Sequence, residues 1–194
     1  MATTKERILD TTAQLFGRYG YTGTGLKQIV AEANAPFGSL YHFFPGGKGQ
    51  LGEEVIRRSG QMYQEIVMAV ADAAPDIQSG VRDIFLGAAE LLRVTDYADA
   101  CPIATIALEV ASSNETLRIA TADVFESWIE AFTPRLVAAG IAADQARALA
   151  IVLIELLEGG FLLSRAARTT EALDAARIVG VAMVKAALPS PSPT

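Results

Sequence analysis

The sequence is poor in the residues that carry most protein chemistry. It has one cysteine, one histidine and one tryptophan among 194 residues. One cysteine excludes an internal disulfide framework and favours a reducing, cytoplasmic environment. A lone histidine provides no basis for a multi-histidine metal centre. We therefore expect no metal site and no other cofactor.

Signatures of common enzymes are also missing. The chain contains no Walker phosphate loop, no HExxH and no Gly-x-Ser-x-Gly, and no buried strand precedes the glycines around Lys48. Cys101 could be read as catalytic or redox-sensing, but no second cysteine can resolve an oxidised sulfur and no histidine is near it in sequence. A core or pocket residue is the favoured interpretation, and we expect the protein not to be an enzyme.

Long hydrophobic runs are absent. The longest strongly apolar stretch, residues 148–157, contains Glu155 and is far shorter than the roughly 18 residues of a membrane span. The beginning of the sequence is charged at once and has no apolar signal core. We expect neither a membrane partner nor export.

What the chain does contain is apolar residues at helical spacing. Hydrophobic residues make up 51% and charged residues 20%, which is enough apolar material for one large domain or two small ones. Apolar side chains recur every three or four positions, and no stretch alternates as a strand does. This pattern predicts an all-α fold of about nine helices, with Thr3 or Thr4 capping the first, Thr24 capping the second and Gly17 and Gly20 ending the first.

The charge is unevenly distributed along the chain. The net charge of −6 argues against a nucleic-acid partner when taken as one number. Residues 1–58, however, hold seven basic and five acidic side chains, a charge of +2, whereas residues 59–194 hold nine and seventeen, a charge of −8. A mildly basic N-terminal segment is thus attached to an acidic body, an asymmetry that weakly favours a polyanion-binding N-terminal module.

Residues 24–48 carry the functional signal. Two short helices joined by a turn at Asn34 are typical of a helix-turn-helix, whose second helix presents its first residues to the major groove. Phe37 suits a thymine methyl, Ser39 offers a hydroxyl, and Lys48 lies near a helix start that favours a phosphate. The predicted DNA-contacting residues are Thr24, Lys27, Gln28, Pro36, Phe37, Gly38, Ser39, Tyr41, His42 and Lys48.

Other interpretations of these residues stay open on sequence alone. His42 could be a buried structural histidine, and Phe37 could pack inward, because an exposed phenylalanine is costly without a partner. Lys27 and Gln28 could be ordinary solvated residues. Glu155 and Glu158 could be solvated or could anchor a ligand, and the stripe at Phe125, Trp128 and Phe132 could be core or pocket lining.

The segment resembles the TetR family of bacterial transcriptional regulators. The resemblance lies in Ile29-Val30-Ala31, Gly38-Ser39-Leu40-Tyr41-His42-Phe43-Phe44 and Lys48 with Leu51, together with Ile8-Leu9, Leu15-Phe16 and Gly20-Tyr21 upstream. Asn34 replaces the usual turn glycine and can also take positive φ. The Pro-Gly-Gly-Lys sequence, Cys101-Pro102-Ile103 and Trp128 are similar to the LmrA/YxaF-type subgroup.

The resemblance implies a homodimeric repressor that leaves a near-palindromic operator when a hydrophobic or aromatic small molecule binds. Residues 1–46 would form a three-helix DNA-binding domain, and residues 47–194 a larger effector-binding and dimerisation domain with its dimer face in residues 144–188. A helical ligand-binding or interaction protein with a non-functional helix-turn-helix is the alternative. Candidate pocket residues are apolar: Met62, Ile66, Phe85, Ala89, Leu92, Ile103, Leu108, Phe125, Trp128, Ile129 and Phe161.

Overall fold

The computed structural model describes residues 2–189, and the all-α prediction is confirmed for them. Nine helices and no strand are found in this range. Residues 190–194, the end of the predicted larger domain, lie outside it. The helices are α1 (Thr4–Gly23), α2 (Leu26–Glu32), α3 (Phe37–Phe43), α4 (Gly47–Ala73), α5 (Ile77–Val94), α6 (Pro102–Val110), α7 (Glu115–Ala138), α8 (Ala143–Ala167) and α9 (Glu171–Ala187).

The described chain forms two compact units, neither of which is one continuous segment. The N-terminal unit consists of residues 2–62 and 99–125, and the C-terminal unit of residues 63–98 and 126–189. Helices α4 and α7 each contribute residues to both units. The functional division at residues 46 and 47 is a separate matter and stays a prediction.

Helix α1 begins with a capping box and continues beyond its predicted end. The Glu6 amide donates to the Thr3 hydroxyl and the Thr3 amide donates to the Glu6 carboxylate, which confirms Thr3 as the cap. The sequence placed the end of the helix at Gly17 and Gly20; Gly17 does not end it, whereas at Gly20 the helical backbone conformation is interrupted. Gly17 is buried inside α1, and Gly20 is a kink with φ 74° and ψ 177° beyond which the helix continues to Gly23.

The predicted cap of α2 is wrong. The N-cap is Gly25, which makes no side-chain cap. Thr24 is fully buried, and its hydroxyl donates to the carbonyl oxygens of Gly20, at 2.8 Å, and Leu15, at 3.3 Å. The Thr24 side chain is therefore directed toward α1, and the N-cap position of α2 falls on the next residue.

The turn between α2 and α3 follows the sequence prediction. Asn34 has φ 47°, so it occupies the left-handed region that asparagine tolerates better than most residues. The Ala35 amide donates to the Val30 carbonyl oxygen at 2.9 Å, and Pro36 is the N-cap of α3. Helices α1, α2 and α3 all pack against one another, and α1 also packs against α6.

The C-terminal unit is built on α5, α8 and α9, which pack against one another around an apolar core. A Cβ atom added to Gly160 would lie 2.7 Å from the Leu173 side chain, whereas one added to Gly159 meets nothing within 4 Å. At Gly160, therefore, α8 and α9 of the same chain approach each other closely.

Within residues 2–189, no helix is both long enough and apolar enough to span a membrane.

Candidate nucleic-acid interface

Helix α3 has one buried side and one exposed side. Leu40 is fully buried, as is Phe44, which directly follows the helix. These residues fix α3 in the N-terminal unit because burying a leucine or phenylalanine contributes roughly 1.5–3 kcal/mol each. The remaining residues of this seven-residue helix are half-buried or exposed.

Two aromatic side chains stand on the exposed side. Phe37 is 45% exposed and Tyr41 is 49% exposed, and their rings meet edge to face with centroids 5.9 Å apart. The inward packing considered for Phe37 is therefore wrong. The partner that makes its exposure tolerable is Tyr41, one helical turn later.

The neighbours of this pair leave its surface accessible. Pro36 and Gly38 are exposed and Ser39 is half-buried, and a Cβ atom at Gly38 would meet nothing within 4 Å. His42 is exposed, with its ring 4.9 Å from that of Phe43, so the interpretation as a buried histidine is wrong. The first turn of α3 thus presents small and aromatic groups that a base edge can approach closely.

The candidates on α2 are placed differently from one another. Lys27 is exposed, and Gln28 is half-buried with its side-chain amide donating to Glu32 at 3.0 Å. Thr24, which precedes the helix, has no exposed surface. Of these three, Lys27 alone offers a free charged group to a phosphate.

Lys48 lies over an aromatic ring at the start of α4. Its Nζ is 4.4 Å from the centroid of the Tyr21 ring, a cation–π arrangement. Burial lowers the pKa of Lys48, and the nearby Glu109 carboxylate opposes that shift. Gly47, with φ 66°, begins α4 and brings the backbone close to Tyr41.

Arg7 is a residue that sequence reasoning missed. Its guanidinium donates to the carbonyl oxygens of Ala33, at 3.1 Å, and Asn34, at 3.2 Å. Arg7 therefore ties α1 to the turn of the helix-turn-helix and satisfies carbonyl groups that end α2. Nothing in the local sequence distinguishes it from a solvated arginine on a polar helix face.

The predicted pocket residues are divided between the two units and differ in exposure. Leu108 is 80% exposed, and Met62 and Ile66 are also exposed. Phe125, Trp128 and Ile129 are half-buried. The other five candidates are buried, four of them in the core of the C-terminal unit: Phe85, Ala89, Leu92 and Phe161, with Ile103 buried in the N-terminal unit.

A cavity of about 510 Å³ lies elsewhere in the C-terminal unit. It is lined by the end of α4, the start of α5, the end of α7 and Leu188. Asp72 and Arg135 form a bidentate ion pair in its wall, and this pairing lowers the pKa of Asp72. None of the predicted pocket residues lines this cavity.

The predicted dimer segment carries exposed aliphatic side chains on both of its helices. Leu162 and Leu163 on α8 and Ile178 and Val179 on α9 are about half exposed or more. Glu155 is exposed, which agrees with its interpretation as a solvated residue. Exposed aliphatic residues on two packed helices are typical of a surface that another chain covers.

Cys101 has a structural environment. It is buried and forms the N-cap of α6, where its sulfur accepts the Ala104 amide at 3.5 Å. Among residues 2–189, no group of three or more histidine, cysteine or acidic side chains is placed to hold a metal ion.

Comparison with family models adds a finding for each part of the chain. Residues 8–55 match the model described as "Bacterial regulatory proteins, tetR family". Residues 78–178 match the model described as "Transcriptional regulator LmrA/YxaF-like, C-terminal domain". The second match alone covers more than half of the sequence.

Individual relatives agree with these models. An uncharacterized HTH-type transcriptional regulator of Bacillus subtilis, YxaF, is 35% identical over 82% of this chain and 84% of its own length. The HTH-type transcriptional regulator LmrA of the same organism is 31% identical over 87% and 90%. A TetR transcriptional regulator from Legionella pneumophila has the same fold, with a TM-score of 0.83 over 97% of this chain and 99% of its own, at 22% identity.

Proposed function

Because this chain belongs to the TetR family of bacterial transcriptional regulators, in its LmrA/YxaF-like group, we propose that it is a homodimeric repressor released from a near-palindromic operator by a hydrophobic or aromatic small molecule. Binding to DNA and regulating transcription are properties of the family. The mode of regulation, the form of the operator and the class of effector are the proposal.

The exposed Phe37–Tyr41 pair carries the DNA-binding part of the proposal. Helix α3 contains no Arg, Lys, Asn or Gln, so it lacks the side chains that make bidentate contacts with guanine or adenine. Phe37 would instead contact thymine methyl groups, with Ser39 donating or accepting a single hydrogen bond. Lys27, Tyr41 and Lys48 would contact phosphates, which contribute affinity without sequence preference.

The exposed aliphatic residues of α8 and α9 support the homodimer. A two-fold interface on these helices would bury Leu162, Leu163, Ile178 and Val179 in both copies. Two copies would present two α3 helices, which is why a near-palindromic operator is expected.

The half-buried aromatic stripe on α7 supports an apolar effector. Trp128 and Ile129 are only partly covered, so a ligand could complete their burial. Such a ligand would act solely through its different affinities for the DNA-bound and free conformations.

The decisive experiment selects binding sites for the full chain from a pool of random DNA duplexes. A two-fold symmetric motif is expected, with a gel shift that weakens steeply as salt rises. A reporter gene under that motif should be silenced by the protein. Selection of no motif, with only weak salt-dependent retention of all DNA, would favour the alternative of a non-functional helix-turn-helix, and activation of the reporter would overturn the repressor assignment.

The effector class has its own test. Trp128 is the single tryptophan, so its fluorescence reports binding in the full-length protein. A panel of aromatic, aliphatic and charged small molecules is titrated, and we expect only apolar members to change the emission and release the selected duplex. Trp128→Ala should reduce release while leaving duplex affinity intact. If release is unchanged, the pocket assignment is wrong.

A further inference from the structure

The kink at Gly20 leaves two backbone amides without their helical acceptors. With φ 74° and ψ 177° at Gly20, the amides of Tyr21 and Thr22 begin a new turn, as at a helix N-terminus. Such donors need another acceptor, which is either water or a polar group of the protein.

A carboxylate from α6 supplies that acceptor. The two oxygens of Glu109 accept the Tyr21 amide at 3.0 Å and the Thr22 amide at 2.7 Å. A Cβ atom at Gly20 would lie 1.7 Å from the nearer carboxylate oxygen, so a glycine is required for this approach. The contact joins residues 87 and 88 positions apart in the chain, all within the N-terminal unit.

The backbone held by the Glu109 carboxylate is in contact with residues predicted to bind DNA. The Tyr21 ring lies beneath the Lys48 ammonium. The Thr24 hydroxyl donates to the Gly20 carbonyl, and Gly25, the N-cap of α2, is the next residue. The position of the kink therefore sets both the entry into the helix-turn-helix and the place of Lys48.

We propose that Glu109 is a positioning residue for DNA binding, which acts by capping the Tyr21 and Thr22 amides and so holding α2 and Lys48 in place. This inference rests on the proposed DNA-binding function. The expected change in DNA affinity when Glu109 is replaced has an unusual sign. Removing a negative charge from a DNA-binding unit ordinarily strengthens binding to the phosphate backbone. A residue that acts by position predicts the opposite.

The test compares E109Q and E109A with E115Q in the full-length protein. Glu115 is exposed, lies in the same unit and pairs with Arg118 on its own helix, so E115Q removes an equal charge without touching the kink. Affinity for the duplex selected by the wild type is measured for all four proteins. We expect about a tenfold loss for E109A, a smaller loss for E109Q, which keeps one acceptor oxygen, and no loss for E115Q.

Hydrogen exchange provides a readout that a general loss of stability would not produce. The Tyr21 and Thr22 amides should exchange about tenfold faster in E109Q, while amides in the core of α5 and α9 keep their wild-type rates. Should E109A fail to fold, E109Q still carries the test. Equal or tighter DNA binding by E109Q, as by E115Q, would overturn the inference while leaving the proposed function standing. A wild type that selects no duplex would defeat the proposed function itself, and altered exchange would then show only a structural cap.

Discussion

Two surfaces of this molecule expose apolar side chains, and their surroundings differ. On α3 the exposed Phe37 and Tyr41 have Pro36, Gly38 and His42 as exposed neighbours. The rings are therefore accompanied by a polar side chain and by accessible backbone. On α8 and α9 the exposed residues are aliphatic and occur in adjacent pairs: Leu162 with Leu163, and Ile178 with Val179. Exposure alone therefore does not identify a partner. In the function proposed above, the first surface binds DNA and the second a second copy of the chain.

The largest effect is expected from disrupting the aliphatic surface of α8 and α9 while leaving the surface of α3 unchanged. In the double variant L162E/I178E, a dimer interface would have to bury carboxylates without partners, which is strongly unfavourable. We expect a monomer by analytical ultracentrifugation, and a loss of about 100-fold in affinity for a two-fold symmetric duplex because the two α3 helices no longer bind together.

Val94 provides the matched control for that variant. It is 69% exposed, slightly more than Leu162 at 63%, but it lies at the end of α5. V94E should keep both the dimer and the DNA affinity. A dimeric L162E/I178E protein would place the interface elsewhere.

The next effect tests how much the positive charge of Lys48 contributes to DNA affinity. Lys48→Ala should weaken binding to selected and unrelated duplexes alike, by about tenfold, because a charge-assisted phosphate contact is lost. The slope of affinity against salt should fall by about one per half-site. Arg82→Ala removes an exposed positive charge on α5, outside the predicted dimer segment, and is the control. A selective effect of Lys48→Ala on one sequence would contradict its assignment to phosphate.

A smaller effect asks whether Phe37 reads bases. Replacing single thymines in the selected duplex by deoxyuridine removes one methyl group, worth about 0.8 kcal/mol or roughly fourfold in affinity. We expect this penalty at one thymine in each half-site for the wild type and its absence in Phe37→Ala. The exposed Tyr19 gives the control Tyr19→Ala, which should keep the penalty. A penalty that persists in Phe37→Ala would remove this residue from base readout.

The smallest effect is a dependence on alkaline pH. Burial lowers the pKa of Lys48, so its ammonium loses its charge at a lower pH than an ordinary lysine, whose pKa is about 10.4. DNA affinity should therefore decline as pH rises toward that value. Lys48→Arg should bind with less pH dependence in this range, since arginine stays charged. An identical pH profile for both proteins would exclude Lys48 as the titrating group.

The sequence predicted features that depend on neighbouring residues. Helical spacing placed the nine helices, Thr3 or Thr4 was predicted to cap the first, and Asn34 with Pro36 predicted the turn, because each rests on contacts within a few positions. The cap assigned to Thr24 failed because threonine before a helix can also donate backward to the preceding one.

The residues that hold the proposed DNA-binding surface in place could not be predicted from the sequence, for a physical reason. Arg7 and Glu109 act on backbone groups 26 to 88 positions away, and backbone groups carry no residue-specific signal. The orientation of Phe37 was equally open, since a ring at that position can face either way until the partner Tyr41 is placed.

The interleaving of the two units has a consequence for protein engineering. Residues 1–46 look like a detachable module in the sequence, but the amides at the Gly20 kink are capped from residue 109. A chimera that carries only the first 46 residues on the body of a relative would lack the Glu109 carboxylate that caps these amides. Exchange of DNA specificity between relatives should therefore succeed when α6 travels with the graft, or when the recipient already carries an acidic residue in the equivalent place.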